Sequence, residues 1–313
     1  MATPELIAGA EPRLRPGSLS GRRRIGEDVV KGVLALCALV SVATTVGIVI
    51  ALFVPAIEFF REISIVDFLT GTNWSPLFEP ASFGVLPLVG GTLLVTAIAS
   101  LVAMPLGLGA AVYMSEYASP RARGIIKPAF ELLAGIPTIV FGYFALTFVT
   151  PLLRDIGVPV DIFNTLSAGL VIGVMLLPTV ASLSEDAMGA VPRDLRDGAY
   201  ALGSTKVQVA TRIVVPAAVS GIVASFVLAI SRAVGETMIV LVAMGQQPNL
   251  TFDPKEAAEA MTAFIAATGA GDIPTGSLEY KTIFAVGALL FVMTLVMNVF
   301  AIRLVRKYRE AYE

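Results

Sequence analysis

Residues 29–57 read VVKGVLALCALVSVATTVGIVIALFVPAI, and Lys31 is the only charged residue among them. A helix needs about 20 mainly apolar residues to cross a bilayer, so this stretch is long enough to do so. It is also much longer than the apolar core of a signal peptide, which indicates a retained helix although three arginines precede it at 22–24. Of the 313 residues in the chain, 56% are hydrophobic and 15% are charged. These proportions exclude a water-soluble enzyme and predict an integral membrane protein.

Five further segments have a similar length and hydrophobicity, at 85–114, 125–153, 163–188, 213–245 and 281–305. Together with 29–57 they predict an all-α, polytopic membrane protein with six spanning helices. The segments between them would form loops, of which the longest are at 58–84, 189–212 and 246–280. The predicted tails are residues 1–28 and 306–313.

The basic residues predict the orientation of these helices. Of the 22 lysines and arginines, 17 lie in or directly beside the two tails and the second and fourth connections, four lie in or beside the connections of the other side, and Arg232 lies within the fifth span. Cytoplasmic loops carry the excess of lysine and arginine in membrane proteins. We therefore expect both termini to be cytoplasmic.

The composition also limits the chemistry of the protein. Histidine is absent and cysteine occurs once, as Cys37. These counts exclude imidazole metal sites, Ser-His-Asp triads, internal disulfide bonds and thiolate metal cages. The sequence has no phosphate-binding GxxxxGKS/T motif, so a nucleotide that drives this protein would bind another chain. We expect no cofactor on this chain.

The fourth connection, at 189–212, predicts two short helices joined by a bend. Pro192 suits the first position of a helix, and Gly203 can end that helix in a left-handed conformation. Thr205 and Gln208 have the spacing of a capping box that opens a second helix. Three apolar residues share one face of the first helix: Leu195, Ala199 and Leu202. Such a compact element transmits rigid-body movement better than a flexible loop.

Charged residues at membrane depth are costly and are candidates for function. Three charged residues lie at this depth in the predicted spans, Glu131, Arg232 and Glu236, and the other charged residues of the spans lie close to the span ends. Arg232 and Glu236 are four residues apart, which predicts that they share one helical face. A guanidinium suits bidentate binding of a phosphate-like oxyanion, with Gly235 leaving room and Thr237 adding a hydroxyl. The alternative is a structural ion pair, and Glu131 would either pair with Arg232 or reach the cytoplasmic interface.

Proline and glycine interrupt the predicted spans. Away from the span ends, proline lies inside four of them, at Pro105, Pro137, Pro178 and Pro216. Freed backbone groups in a membrane need neighbouring helices or a wet cavity, so the prolines indicate either a bundle that lines a path and moves or one that is kinked and inert. The spacing of Gly169 and Gly173 predicts a close contact between helices.

The fourth connection resembles the signature EAA-x3-G-x9-I-x-LP of ABC-importer permeases. The matching positions are Asp197, Gly198, Ala199, Gly203, Ile213 and Pro216. The spacing is the same throughout, although Asp197 replaces Glu, Gly198 replaces the first Ala and Val215 replaces Leu. In that family, this element is the coupling helix, which sits in a groove of the cytoplasmic ATPase.

The sequences AGIPT at 134–138 and SRAVGETM at 231–238 resemble the phosphate-specific permeases of this class. The methionine after Glu-Thr, the long fifth connection and the sixth span are similar to the PstC-type subunit rather than to its PstA-type partner. The resemblance implies a type I importer fold in the bacterial inner membrane, and transport without enzymatic activity in this chain. It implies an anion path that includes Glu131, Thr138, Arg232, Glu236 and Thr237.

The implied partners are a PstA-type permease, two ATPase subunits that bind ATP and Mg²⁺, and an external phosphate-binding protein, with no nucleic acid. Three alternatives stay open at this point. The chain could be a permease for sulfate, molybdate or another tetrahedral anion. It could be a secondary transporter that uses the three buried charges as an ion relay. It could also be a membrane sensor that transports nothing. The second alternative leaves the spacing from Gly203 to Pro216 unexplained.

Overall fold

A computed structural model of the chain describes residues 25–307. The predicted tails therefore lie largely outside the described residues, and so do most of the tail arginines that contribute to the predicted orientation. Within the described range, the chain is mainly helical.

The helices are α1 Ile25–Glu62, α2 Ile65–Thr70, α3 Leu86–Val112, α4 Pro120–Gly135, α5 Thr138–Phe144, α6 Thr150–Asp155, α7 Thr165–Gly189, α8 Arg193–Ala201, α9 Lys206–Val209, α10 Val215–Ala217, α11 Val219–Val234, α12 Met261–Ala270 and α13 Leu278–Lys307. Single π-helical turns lie at Tyr113–Tyr117, Ala145–Val149, Ala210–Val214 and Val240–Met244. Two short antiparallel strands, β1 Trp74–Ser75 and β2 Ser82–Phe83, pair between α2 and α3.

Four helices of the described chain are long and apolar enough to cross a membrane unbroken: α1, α3 with its π turn, α7 and α13. The predicted spans at 125–153 and 213–245 are broken instead. The first consists of Pro120–Gly135 and Thr138–Asp155 at 90° to each other, and the second of Lys206–Ala217 and Val219–Val234 at 71°. Six spans result if each bent pair counts as one, so the number six stays a prediction.

Proline accounts for the first break and helps to explain the second. The residue before a proline is pushed toward an extended backbone, and Ile136 has φ −70° and ψ 129° ahead of Pro137. Pro216 lies two residues beyond the π turn Ala210–Val214. A wider turn accommodates the missing N–H and the bulk of a proline ring inside a helix.

The chain divides into two compact units between Ala51 and Leu52. The described part of the first unit, residues 25–51, is the N-terminal part of α1, and its side chains at 27–48 are exposed. An exposed apolar helix of this kind is typical of a membrane-spanning segment. The second unit contains the other elements and the candidate site.

The core of the second unit is the contact between α3 and α7. A Cβ built on Gly173 would lie 2.6 Å from Val102 Cβ, and one built on Gly169 would lie 2.7 Å from Ile98 Cβ. The two helices approach so closely that only glycine fits at these positions. The predicted helix contact at Gly169 and Gly173 is confirmed.

Candidate functional site

Arg232 lies near the end of α11, where its side chain is exposed. Its Nη1 donates to Oγ1 of Thr179 on α7, at 3.4 Å. Helix α11 ends at Val234, and Glu236 lies in the short break that follows. The prediction that Arg232 and Glu236 share one continuous helical face is therefore wrong. In the described part of the chain, no ion pair joins them.

Glu236 is committed to the backbone of this break. Its side chain is 7% exposed, and Oε1 accepts hydrogen bonds from the N–H groups of Met238 at 3.1 Å and Ile239 at 3.3 Å. A carboxylate that accepts from free N–H groups stabilises the start of a new helical turn. The sequence pattern did not predict this capping role, because an i, i+4 spacing places two residues on one face only if the helix continues.

Two neighbouring elements hold the break in place. Thr262 of α12 donates its hydroxyl to the Glu236 carbonyl at 2.6 Å, and the Met261 N–H donates to Thr92 Oγ1 of α3 at 3.0 Å. The Thr237 hydroxyl donates to the carbonyl of Gly235 at 3.2 Å. Irregular backbone at membrane depth is tolerated where protein satisfies its polar groups, and these contacts do so.

A cavity of about 230 Å³ lies between α4 and α7. It is lined by Met114, Lys127, Phe130, Glu131, Ala134, Pro178, Thr179 and Ser182. Glu131 is exposed and shares this cavity with Thr179, the hydroxyl that holds Arg232. Within residues 25–307 Glu131 makes no ion pair with Arg232, although Thr179 bonds Arg232 and lines the same cavity as Glu131. Thr138, at the start of α5, is not among the lining residues.

The sequence did not single out two residues that line this cavity, Thr179 and Lys127, or Glu185, which pairs with Lys127. Thr179 carries no signal in a sequence, because a threonine hydroxyl inside a helix commonly bonds its own backbone. Lys127 and Glu185 lie near the ends of predicted spans, where charged residues are common and do not indicate a site. In the structure Lys127 Nζ lies 2.7 Å from Glu185 Oε2, and Glu185 is buried.

The predicted helix–bend–helix element is confirmed. Helix α8 begins at Arg193, directly after Pro192, and Gly203 follows it with φ +81°. Thr205 and Gln208 form both hydrogen bonds of a capping box at the start of α9. The element therefore has a defined shape.

The exposed surface of α8 contains polar and apolar residues. Asp197 and Gly198 are exposed, and Ala199 is buried against the bundle. Leu195 is 39% exposed, and Leu202, which lies just beyond the last residue of the helix, is 89% exposed. The three apolar residues predicted to share a face thus divide between the bundle and the open surface. Ile213 is half-buried in the π turn Ala210–Val214, and Pro216 is exposed in α10.

Arg196 ties α8 to the ends of two long helices. Its guanidinium donates to the carbonyls of Met188 at 2.8 Å and Val191 at 2.6 Å, beyond which α8 begins. The same group lies 3.1 Å from Glu116 Oε1, in the π turn at the end of α3. The α8 element is therefore fixed to α3 and α7 by one side chain.

A family model described as the inner membrane component of binding-protein-dependent transport systems matches residues 103–310. The chain belongs to this family. A probable ABC transporter permease of Bacillus subtilis, YqgH, is 35% identical over 280 residues, which cover 88% of this chain and 90% of that protein. The phosphate transport system permease PstC of Mesorhizobium japonicum is 33% identical over 270 residues, covering 79% and 80%.

Solved structures of ABC transporters share the fold. An alginate importer superposes with a TM-score of 0.62 and 19% identity, covering 92% of this chain and 100% of that one. The MetNI methionine transporter gives a TM-score of 0.55 and 18% identity, covering 72% and 95%. At these identities the comparison establishes the type I importer fold and nothing about the substrate. Like other inner membrane components of this family, the chain is a multi-pass transport component of the membrane.

Proposed function

We propose that this chain is the PstC-type permease subunit of an ATP-driven importer of inorganic phosphate. The observation that carries the proposal is the 33% identity to a phosphate permease over 79% of this chain. A similar permease of Haemophilus influenzae is 30% identical over 91% of the chain. The exposed guanidinium of Arg232, beside the break that follows Val234, is chemically suited to the same substrate.

The assembly that we propose pairs this chain with a PstA-type permease. Two ATPase subunits would bind ATP and Mg²⁺ at the cytoplasmic face, and an external binding protein would deliver phosphate. The exposed Leu195 and Leu202 support ATPase docking at α8, because apolar residues on a protruding helix typically pack into a groove of a partner. Asp197, Gly198 and Gly203 would contact or shape this docking surface, while Ala199, Ile213 and Pro216 would connect it to the bundle.

Arg232 would be the principal phosphate contact of this subunit. Among residues 25–307, Arg232 makes one long side-chain hydrogen bond, from Nη1 to Thr179, so the other donors of the guanidinium would remain for an oxyanion. Gly235 is exposed, and a Cβ built on it would meet only backbone oxygens, at 3.6 Å and 3.8 Å. Bidentate binding needs this kind of open approach.

The other proposed path residues would shape or charge the path around Arg232. Glu236 would fix the shape of the break that presents Arg232, and Thr237 lies in the same break. Glu131 would set the charge of the cavity next to Thr179. Thr138 would lie on the path beyond the break at Pro137, where α5 begins.

Coupling would proceed through rigid contacts. ATP-driven closure of the ATPases would displace α8, and Arg196 would carry that displacement to the ends of α3 and α7. Helix α7 carries Thr179, the partner of Arg232. The proposed anion contact and the proposed docking element would thus lie on one continuous set of packed helices.

The test uses the assembled complex in lipid vesicles, with labelled phosphate, sulfate and molybdate. We expect ATP-dependent phosphate uptake that Arg232→Ala abolishes and Arg232→Lys restores only in part, since an ammonium lacks the planar fork. Arg121→Ala, at the exposed start of α4, is the control and should leave uptake unchanged. Preference for sulfate or molybdate would reassign the substrate, and uptake driven by a proton gradient without ATPase would contradict the proposal.

A further inference from the structure

The ion pair between Lys127 and Glu185 joins two parts of the bundle that are far apart in sequence. Lys127 lies on α4 and Glu185 on α7, and their charged atoms are 2.7 Å apart. The Glu185 side chain is 9% exposed, whereas that of Lys127 is 45% exposed and lines the cavity of about 230 Å³. The carboxylate is thus enclosed by protein, while the ammonium reaches open space.

The two partners differ in how freely they can change position. A buried carboxylate needs a counter-charge, so Glu185 depends on Lys127. A lysine has three N–H donors on a flexible four-carbon stem, so Lys127 can exchange one partner for another. The same cavity contains the hydroxyls of Thr179 and Ser182, which can donate to an anion.

In the present arrangement, the cavity is unfavourable to an anion. Glu185 neutralises Lys127 at close range, and Glu131 contributes a further carboxylate to the lining. An oxyanion would be attracted here only if Lys127 separated from Glu185. The charge of the cavity therefore depends on the position of the Glu185 end of α7.

The position of that end is connected to α8. Glu185 lies three residues before Met188, whose carbonyl accepts a hydrogen bond from Arg196 of α8 at 2.8 Å. Thr179, which holds Arg232, lies six residues before Glu185, or about 9 Å along the helix axis. Lys127 and Glu185 thus lie between the Arg232 region and the docking element.

We infer that Lys127 is a second anion-binding residue of the transport path, and that it alternates between Glu185 and the transported oxyanion. The inference rests on the proposed function. While α8 and the end of α7 hold their present positions, Lys127 stays in its ion pair with Glu185. When the end of α7 moves, Lys127 is released and receives the oxyanion after it leaves Arg232. The alternative is a structural pair that does nothing but hold α4 against α7.

Two double variants separate these alternatives in the assembled complex. In K127Q/E185Q, a neutral pair can form a hydrogen bond between α4 and α7, and the sum of the two charges is unchanged at zero. In K127E/E185K, the ion pair is kept, but the cation moves from α4 to α7. We expect phosphate uptake per assembled complex to fall about tenfold or more in both, the scale of one lost charge-assisted hydrogen bond. The thermal midpoint should stay near that of the parent.

Lys255→Gln is the matched control, because its side chain is 42% exposed and pairs with Asp253 at 3.4 Å, outside this cavity. It should leave uptake unchanged. Normal uptake in both double variants would overturn the inference, and so would a failure of both to assemble, since the pair would then be structural. If the parent complex transports no phosphate, the proposed function fails instead. If it transports another oxyanion, the same variants test Lys127 with that ion.

Discussion

Arg196 Nη2 lies 3.1 Å from Glu116 Oε1, and 15% and 6% of the two side chains are exposed. The residues are 80 positions apart in the chain, and the contact brings the start of α8 against the end of α3. Because the same guanidinium also binds two carbonyls next to the end of α7, three helical elements meet at one side chain. This junction connects the element that we propose as the ATPase docking site to the core of the bundle.

Arg196→Gln should destabilise the protein by about 3–5 kcal/mol, because it leaves the buried carboxylate of Glu116 without its counter-charge. Thermal unfolding of the purified complex measures the loss. Arg193→Gln changes an exposed arginine of the same helix and should stay within ~0.5 kcal/mol of the parent. Equal effects of the two substitutions would show that the junction does not contribute to stability.

Gly203→Ala should lower the free energy of unfolding by about 1–2 kcal/mol, since Gly203 has φ +81° and residues with a side chain are strained there. A Cβ at this position would meet nothing within 4 Å, so the cost would come from the backbone alone. Gly203→Asn should cost less, because asparagine tolerates the left-handed conformation better. Gly124→Ala in α4 also adds a Cβ in open space, and should be neutral or stabilising. Thermal unfolding that ranks Gly203→Ala with Gly124→Ala would contradict this prediction.

Gly173→Ala should destabilise the contact between α3 and α7 by about 1–3 kcal/mol, because the added Cβ would overlap Val102. Gly109→Ala on α3 is the control, since a Cβ there has nothing within 4 Å. The measurement is the denaturant or thermal midpoint of both variants in the same detergent. If Gly173→Ala unfolds at the parent midpoint, the helices do not approach as closely as the structure indicates.

The pH dependence of stability should contain a contribution from Glu259. This residue lies in the loop before α12, lines a cavity of about 390 Å³ at the end of the bundle opposite α8, and is 5% exposed. Burial raises its pKa from 4.5 to about 7. Folding therefore favours the protonated carboxyl, so the stabilisation is complete below about pH 4.5 and is lost as the pH rises through about 7.

Glu259→Gln should remove this dependence, because an amide does not ionise. Unfolding measured from pH 5 to pH 8 should give a flatter profile for the variant and a higher stability than the parent at pH 8, by up to ~3 kcal/mol. Glu256→Gln changes an exposed neighbour and should keep the parent profile. A parent profile that does not fall across this pH range would show that Glu259 is ionised without cost.

The orientation predicted from the basic residues can be tested with an impermeant thiol reagent. Single cysteines at Asn249 and Ser204, in a variant that lacks Cys37, should differ in accessibility. Asn249, which is exposed in the long fifth connection, should react in intact cells. Ser204 should react only after the membrane is opened. Labelling of Ser204 from outside would reverse the orientation and move the proposed docking surface to the wrong side.

The sequence determined the features that depend on neighbouring residues. Long apolar runs predicted the spanning helices, and local backbone preferences predicted the glycine bend at Gly203 and the capping box that starts with Thr205. Apolar runs and backbone preferences both involve residues that are close together in the chain, so one sequence is enough to predict the structures that they form. The spacing of Gly169 and Gly173 predicted a close helix contact because small residues permit it at any partner surface.

The pairing of the charged groups depends on the tertiary structure. Arg232 and Glu236 are close in sequence but separate in role, because the helix ends between them and the carboxylate binds backbone N–H groups instead. Lys127 and Glu185 are 58 positions apart yet form an ion pair. A charged side chain inside the membrane binds a polar group that packing brings close to it. The identity of that group depends on how the helices break and cross, and not on the spacing of residues along one helix.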